Sequence, residues 1–215
     1  MIIKSFKNML ITSPFLMNIR SIARKLGVTK IIGKIISNSH YEDKFGPQFK
    51  AGIKKGDMVW DIGANVGAFC IRAARFARQV TAVEPVTTAL LRDNIRANNV
   101  SVRVLEGGLG NGKPAVICWD DQQVSASTYT LKMILERVGG CDFLKCDCEG
   151  AEWLIHPPEL AGIRRIEMEL HQPPIGGRPN PALLDYIGVH YDFEIERKPV
   201  HAALGVMGLL HAIHR

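Results

Sequence analysis

Apolar and polar positions alternate in two distinct rhythms along this chain. From Gly56 onward, short apolar runs with strand periodicity are separated by segments with helical periodicity. The runs DMVWDIG (57–63), QVTAVEP (79–85), VSVRVLEGG (100–108), CDFLKCD (141–147), IRRIEMELH (163–171), YDFEIER (191–197) and GLLHAIHR (208–215) read as strands. The segments ANVGAFCIRAARFAR (64–78), VTTALLRDNIRANN (86–99), TYTLKMILERVGG (128–140) and NPALLDYIGVH (180–190) read as helices. PAVICW (114–119) is short enough to be an added edge strand. Repeated strand–helix units of this length predict an α/β fold, with a mainly parallel seven-stranded sheet covered by helices on both faces.

The first forty residues follow a different pattern. Phe15, Leu16, Ile19, Ile22, Ala23 and Leu26 recur at helical spacing, with Arg20, Arg24 and Lys25 elsewhere on the wheel. Residues 1–40 are therefore expected to form a basic amphipathic helical segment, distinct from a domain spanning 41–215. Charge supports that division. Residues 1–40 hold seven Lys or Arg and no acid, so of the 27 basic and 21 acidic residues, twenty and twenty-one fall in the remainder. The excess of +6 belongs to the amino-terminal segment. It is expected to pack on the domain. The competing role is a recruitment surface, in which residues 1–36 make peripheral contact with a membrane or RNA. A main body that is nearly neutral, without clustered arginines and aromatics, argues against extensive nucleic-acid contact.

The 215 residues are 47% apolar, ample for one core. No stretch is apolar for long enough to span a bilayer. Pro14 and Asn18 interrupt the one faintly signal-like stretch. Five cysteines, an odd number at scattered positions, suit free thiols in a cytoplasmic protein.

Candidate chemistry begins at DIGANVG. Gly63 and Gly67 permit a tight strand-to-helix turn and let a ligand approach the backbone. About twenty residues on, Glu84 ends the next strand, where a carboxylate can accept hydrogen bonds from both ribose hydroxyls. A dinucleotide-binding turn would show G-x-G-x-x-G. Here Asp61 precedes the turn, and a carboxylate beside a pyrophosphate would be repelled. Beside the ammonium and sulfonium of S-adenosylmethionine it would be attractive. The expected cofactor is that methyl donor, and an NAD-dependent oxidoreductase is the reading it displaces. Replacing Glu84 is expected to weaken cofactor binding while leaving the stability of the ligand-free protein nearly unchanged.

The second cluster is DFLKCDCEGAEW (142–153). Alternation along a strand puts Lys145, Asp147 and Glu149 on one face, with Cys146 and Cys148 on the other. Ligands in open α/β sheets sit at the carboxyl ends of the strands, so Asp61, Glu84 and Asp147 converge on one crevice. The Cys-x-Cys pair lacks two further ligands and is expected to be buried packing; no metal is expected. His171 ends the fifth strand beside the fourth, with the ordinary histidine pKa that suits a general base, and Glu169 stands two residues back. Glu149 and Glu152 are expected to open a helix, where the dipole favours acids in any case. Lys145 is a catalytic candidate or a partner for a carboxylate.

GDMVWDIGANVGAF, AVEP, Asn94, DFLKCDCEGAEW and IEMELH, in this order and spacing, resemble the FkbM-type family of S-adenosylmethionine-dependent methyltransferases. The similarity runs from about Tyr41 to His171. It implies a Rossmann-like class I methyltransferase fold and, usually, O-methylation of a small molecule or sugar. It also implies that Asp61, Gly63, Ala64 and Gly67 line the methionine end and that Glu84 holds the ribose; Asn65 is expected in the same cofactor site, and Asp147 is expected to hold the methionine ammonium or the acceptor. Pro85 and Val86 would flank the adenine, with Glu106 or Gly107 at its edge. The expected catalytic set is His171, Asp147, Glu149, Lys145 and Glu169, acting on a small-molecule or saccharide hydroxyl. The alternatives are a methyltransferase recruited to RNA or a lipid-linked substrate, and an inactive ligand-binding protein.

Overall fold

The structure, a computed structural model, describes residues 52–119, 122–173, 177–197 and 205–215. The basic amphipathic segment expected over residues 1–40, its boundary with the domain and its membrane or RNA contacts lie outside the described residues. No helix among the described residues is long and apolar enough to cross a membrane.

The chain runs β1 (Met58–Ile62), α1 (Ala68–Ala73), β2 (Gln79–Glu84), α2 (Thr88–Ala97), β3 (Arg103–Glu106) and β4 (Gly108–Leu109). It continues through β5 (Ala115–Trp119), β6 (Gln122–Ala126), β7 (Thr128–Tyr129), α3 (Leu131–Val138) and β8 (Phe143–Cys146). Two 3-10 turns, Ala151–Leu154 and Pro157–Leu160, lead to β9 (Arg165–His171). Then follow α4 (Pro181–His190), β10 (Tyr191–Glu196) and β11 (Val206–His214). Seven strands form one sheet in the order β10-β11-β9-β8-β1-β2-β3. Strand order reverses between β1 and β8, which places the switch point where the glycine turn and the DFLKCDCEGAEW strand lie side by side.

The sheet is parallel except for β11, which runs antiparallel to both β9 and β10. The reason is connection length. Fewer than ten residues separate Glu196 from Val206. A parallel crossover needs about a dozen or more, so the chain turns back. The expected edge strand at 114–119 is instead β5, which pairs antiparallel with β6 in a separate two-stranded ribbon. The helix expected after β8 is replaced by the two 3-10 turns. Gly150 adopts a left-handed φ of 102°, and Pro157 and Pro158 forbid a regular helix through that segment.

The two faces of the central strands differ in chemistry. Trp60, Ile62, Leu144, Cys146, Ile166, Met168, Leu170, Leu210 and Ala212 point into one core with Leu131, Ile134, Leu160, Leu183 and Ile187. On the opposite face the register sets Asp61 against Lys145, Lys145 against Glu167, and Glu167 against His211. All four are buried. A row of alternating charge therefore crosses four adjacent strands, where sheet interiors usually carry Val, Ile and Leu.

Candidate active site

The turn after β1 is tied down from three sides. Gly63 N and Ala64 N donate to Val83 O at 3.0 and 3.2 Å. Asn65 N donates to Glu84 Oε2 at 2.8 Å, and Asn94 Nδ2 of α2 donates to Val66 O at 2.8 Å. Lys145 Nζ donates to Gly63 O at 2.9 Å. Gly63 has φ +75°, and a Cβ there would lie 1.8 Å from Asp147 O. Only glycine lets the turn and the end of β8 touch, which brings the two sequence motifs together. Gly67 begins α1, also with positive φ, and a Cβ there would strike Leu91 Cδ1 at 2.6 Å.

Glu84 ends β2 in register with Glu106 at the end of β3. Its Oε1 accepts from Val86 N at 2.7 Å and Thr87 N at 2.9 Å, while Oε2 holds Asn65 N. A carboxylate offers about four lone-pair directions, so three amides leave room for little more than one further donor. Glu84 is thus a structural clamp between two loops as well as a ligand candidate. This corrects the expectation that its loss would spare the ligand-free fold. Pro85 and Val86 are half-buried beside it, Gly107 is buried, and Glu106 is exposed, 3.8 Å from Arg92.

Asp61 is fully buried. Its Oδ1 lies 3.0 Å from Lys145 Nζ, and its Oδ2 accepts from Cys70 N at 3.1 Å. Burial pushes its pKa up, against the pull of Lys145. The sequence argument had Asp61 attract a cationic ligand; in the fold Lys145 is the cation paired with it. Lys145, 1% exposed, is also 3.8 Å from Asp147 Oδ2. It supports the floor of the site.

Asp147, Glu149 and His171 meet at the ends of β8 and β9. His171 Nε2 is 3.4 Å from Glu149 Oε2 and 3.9 Å from Asp147 Oδ1. Glu149 reaches back because its backbone is left-handed, φ +55°, an uncommon conformation for a residue with a side chain. Glu169, also buried, stands two residues back on the same face of β9, between Glu167 and His171.

Glu152 is the residue that sequence reasoning undervalued. It is fully buried in the first 3-10 turn. Its Oε1 accepts from His171 N at 2.6 Å and faces Nδ1 at 3.1 Å, while Oε2 accepts from Gly150 N at 2.9 Å. Trp153 Nε1 donates to His171 O at 2.7 Å. Consecutive residues therefore grip both backbone groups of His171 and one ring nitrogen. The available signal was the pairing of Glu152 with Trp153, an acid and an aromatic donor just past a strand end. Burial alone would lower the His171 pKa. The hydrogen bond and charge of Glu152, with Glu149 and Asp147 behind it, outweigh burial and push it up to about 9. The ordinary histidine pKa expected from sequence is not what these surroundings give.

The five cysteines are free thiols. Cys146 Sγ and Cys148 Sγ lie 3.4 Å apart, and Cys148 Sγ is 3.6 Å from Glu152 Oε2. The Cys146 contact and burial push the Cys148 thiol well up, so it stays protonated.

No family model matches the chain. No curated protein matches it in sequence. Solved structures do match in shape. A methyltransferase-like protein from Streptococcus mutans, solved in complex with SAH, superposes with a TM-score of 0.54 at 12% identity, over 78% of this chain and 93% of that one. An rRNA methylase from Streptococcus thermophilus gives 0.53 at 8% identity, over 78% and 91%. A precorrin-6y C5,15-methyltransferase from Geobacter metallireducens gives 0.52 at 12% identity, over 78% and 86%. The chain has the Rossmann-like fold of class I methyltransferases. In that fold the tethered glycine turn, Glu84 and the Asp147–His171 cluster occupy the carboxyl ends of β1, β2, β8 and β9, flanking the switch point.

Proposed function

We propose that this protein is an S-adenosylmethionine-dependent methyltransferase of the FkbM type, acting on a hydroxyl group of a small molecule or saccharide. The observation that carries the reading is the contact between Gly63 and Asp147, which joins a nucleotide-type turn to a cluster of proton-handling groups at one sheet edge. The residues fit the cofactor. Gly63 and Gly67 give the turn its positive-φ path and its close packing on Asp147 and Leu91, and Glu84 holds Asn65 N and keeps a lone-pair direction for a ribose hydroxyl. Pro85, Val86, Glu106 and Gly107 line the neighbouring strand ends where the adenine would lie. S-adenosylmethionine supplies a methyl group already activated as a sulfonium.

The remaining work is positioning and proton removal. Asp147, Glu149 and the Nε2 side of His171 surround the acceptor hydroxyl as its proton leaves. Asp61 and Lys145 hold the floor beneath Asp147, and Glu152 fixes the ring that faces it. The fold is shared by a precorrin methyltransferase and an rRNA methylase, so the choice of a small hydroxylated acceptor rests on the family resemblance and on a main body without excess positive charge.

The test is methyl transfer from radiolabelled S-adenosylmethionine to a panel of hydroxylated small molecules and sugars, with Asp147→Asn as the control. The expected result is transfer to a hydroxyl acceptor that falls by about 10²–10⁴-fold in Asp147→Asn, with the variant still folded by circular dichroism. Transfer to RNA alone would replace the acceptor. Transfer untouched by Asp147→Asn would remove the cluster from the chemistry.

A further inference from the structure

We infer that Asp147, Glu149 and His171 form a binding site for one divalent cation of the Mn2+ or Mg2+ class, on which the acceptor hydroxyl is held. The inference rests on the methyltransfer reading above for its purpose, and on this structure for its geometry.

Each of the three residues offers one ligand atom, and these atoms all lie within 4.8 Å of one another. Two of the separations are 3.4 Å, His171 Nε2 to Glu149 Oε2, and 3.9 Å, Nε2 to Asp147 Oδ1. Neighbouring ligands of an octahedral ion with bonds of about 2.1 Å stand about 3.0 Å apart. Closing the triad on an ion therefore takes only small movements of side chains that already face one another. Three donors on one side leave the other positions for water and for a substrate oxygen.

A second observation comes from behind the triad. Histidines that bind metals almost always give their other ring nitrogen to a carboxylate or carbonyl, which fixes the ring and the tautomer. His171 is 2% exposed, and its Nδ1 lies 3.1 Å from the fully buried Glu152. A carboxylate can only accept, so Nδ1 carries a hydrogen and Nε2 is the nitrogen turned toward Asp147 and Glu149, where a bound cation takes the place of its proton. Glu152 also holds the His171 amide at 2.6 Å, and Trp153 holds its carbonyl at 2.7 Å, so the backbone that carries the ring is fixed along with the ring nitrogen. Surface acids that meet by chance have no such support.

The donor set selects the ion. Two carboxylates and one imidazole suit Mn2+ and, with more water retained, Mg2+. The thiols at Cys146 and Cys148, which zinc would prefer, approach each other and Glu152 rather than the triad. This departs from the sequence expectation of no metal, which was argued on the cysteines.

The cation gives the acceptor a place to lose its proton. A hydroxyl held on a divalent ion is more acidic than in water. Its proton passes to solvent water, and the oxygen then forms a bond to the methyl carbon. The carbon–sulfur bond breaks, and its electron pair stays on sulfur as the neutral thioether product.

The experiment uses the full chain, stripped with EDTA and titrated with Mn2+ alone. Electron paramagnetic resonance reads free Mn2+ and calorimetry reads the stoichiometry. The expected result is one Mn2+ per chain, displaced by Mg2+, with affinity at least about tenfold weaker in Glu149→Gln. Glu149 has a half-exposed side chain, so that variant keeps its fold, checked by its melting curve. Methyl transfer should fall on EDTA treatment and return with Mn2+ or Mg2+. No saturable Mn2+ binding, or binding unchanged in both Glu149→Gln and Asp147→Asn, overturns the inference. EDTA-resistant methyl transfer overturns it too and leaves the methyltransferase reading standing. A triad-dependent Mn2+ site in a chain that does not bind S-adenosylmethionine would instead sink that reading and keep the metal.

Discussion

Glu152 Oε1 meets His171 twice, at 2.6 Å from the backbone amide and at 3.1 Å from Nδ1 of the ring. The two residues are nineteen apart in sequence, and one carboxylate oxygen sets both the position and the orientation of the imidazole. Because Oε2 of the same group holds Gly150 N, Glu152 also shapes the left-handed turn that returns Glu149 to the site.

Glu152→Ala should therefore damage the fold as well as the site. It strands the buried amide of His171, at a cost of about 1–3 kcal/mol, and removes the partner of the half-buried Gly150 amide. Urea denaturation should show a loss of at least about 2 kcal/mol. An unchanged midpoint would mean that His171 is held by its strand alone.

Lys145 and Asp61 make a second coupled pair. Both are buried, and Nζ stands 3.0 Å from Oδ1. Removing one partner from such a pair typically costs about 3–5 kcal/mol, because the other charge is left stranded. Lys145→Met should destabilise on that scale. The double variant Asp61→Asn, Lys145→Met should recover a large part of the loss, since the fully buried Asp61 charge is no longer stranded. Equal destabilisation by single and double variants would show that the pair is not coupled.

The charged row across the sheet predicts a pH dependence of stability. His211 Nδ1 bonds to Glu167, whose other oxygen accepts from Arg165 Nε at 2.6 Å; Glu196, and the charge of Glu194, face His211 from β10. The Glu167 hydrogen bond raises the His211 pKa against burial. A raised histidine binds its proton more tightly folded than unfolded. Its contribution is thus complete below about pH 6.5 and fades as pH rises through the folded value. The stability gap between the natural protein and His211→Gln should shrink from pH 6 toward alkaline pH. A constant gap would mean that folding leaves the His211 pKa unshifted.

Periodicity made the main sheet legible, because apolar runs of five or six residues separated by amphipathic segments have few other ways to pack. The strand pairing that reversed β11 was hidden in a connection length, not in a residue pattern. The ribbon partner β6, with its polar sequence QQVSA, gave no apolar signal at all. At the site, Gly63, Glu84, Asp147 and His171 were visible because each falls at a strand end. The partners were not. Nothing in the sequence pairs Asp61 with Lys145, since that depends on β1 and β8 lying side by side with more than eighty residues between them. Glu152 was hidden for a related reason. On a helix it would have pointed to solvent, and only the prolines at 157 and 158 and the turn at Gly150 fold it inward.

The central claim is that the glycine turn and Glu84 hold S-adenosylmethionine. Isothermal calorimetry of the full chain with S-adenosylmethionine, its demethylated product and NAD tests it most directly. The account predicts one site for the methyl donor and its product and none for NAD. It also predicts that Glu84→Gln, which removes charge-assisted hydrogen bonds worth about 1.5–3 kcal/mol each, weakens that site at least about tenfold and lowers the melting temperature of the ligand-free protein. Saturable NAD binding with no heat from the methyl donor would contradict it.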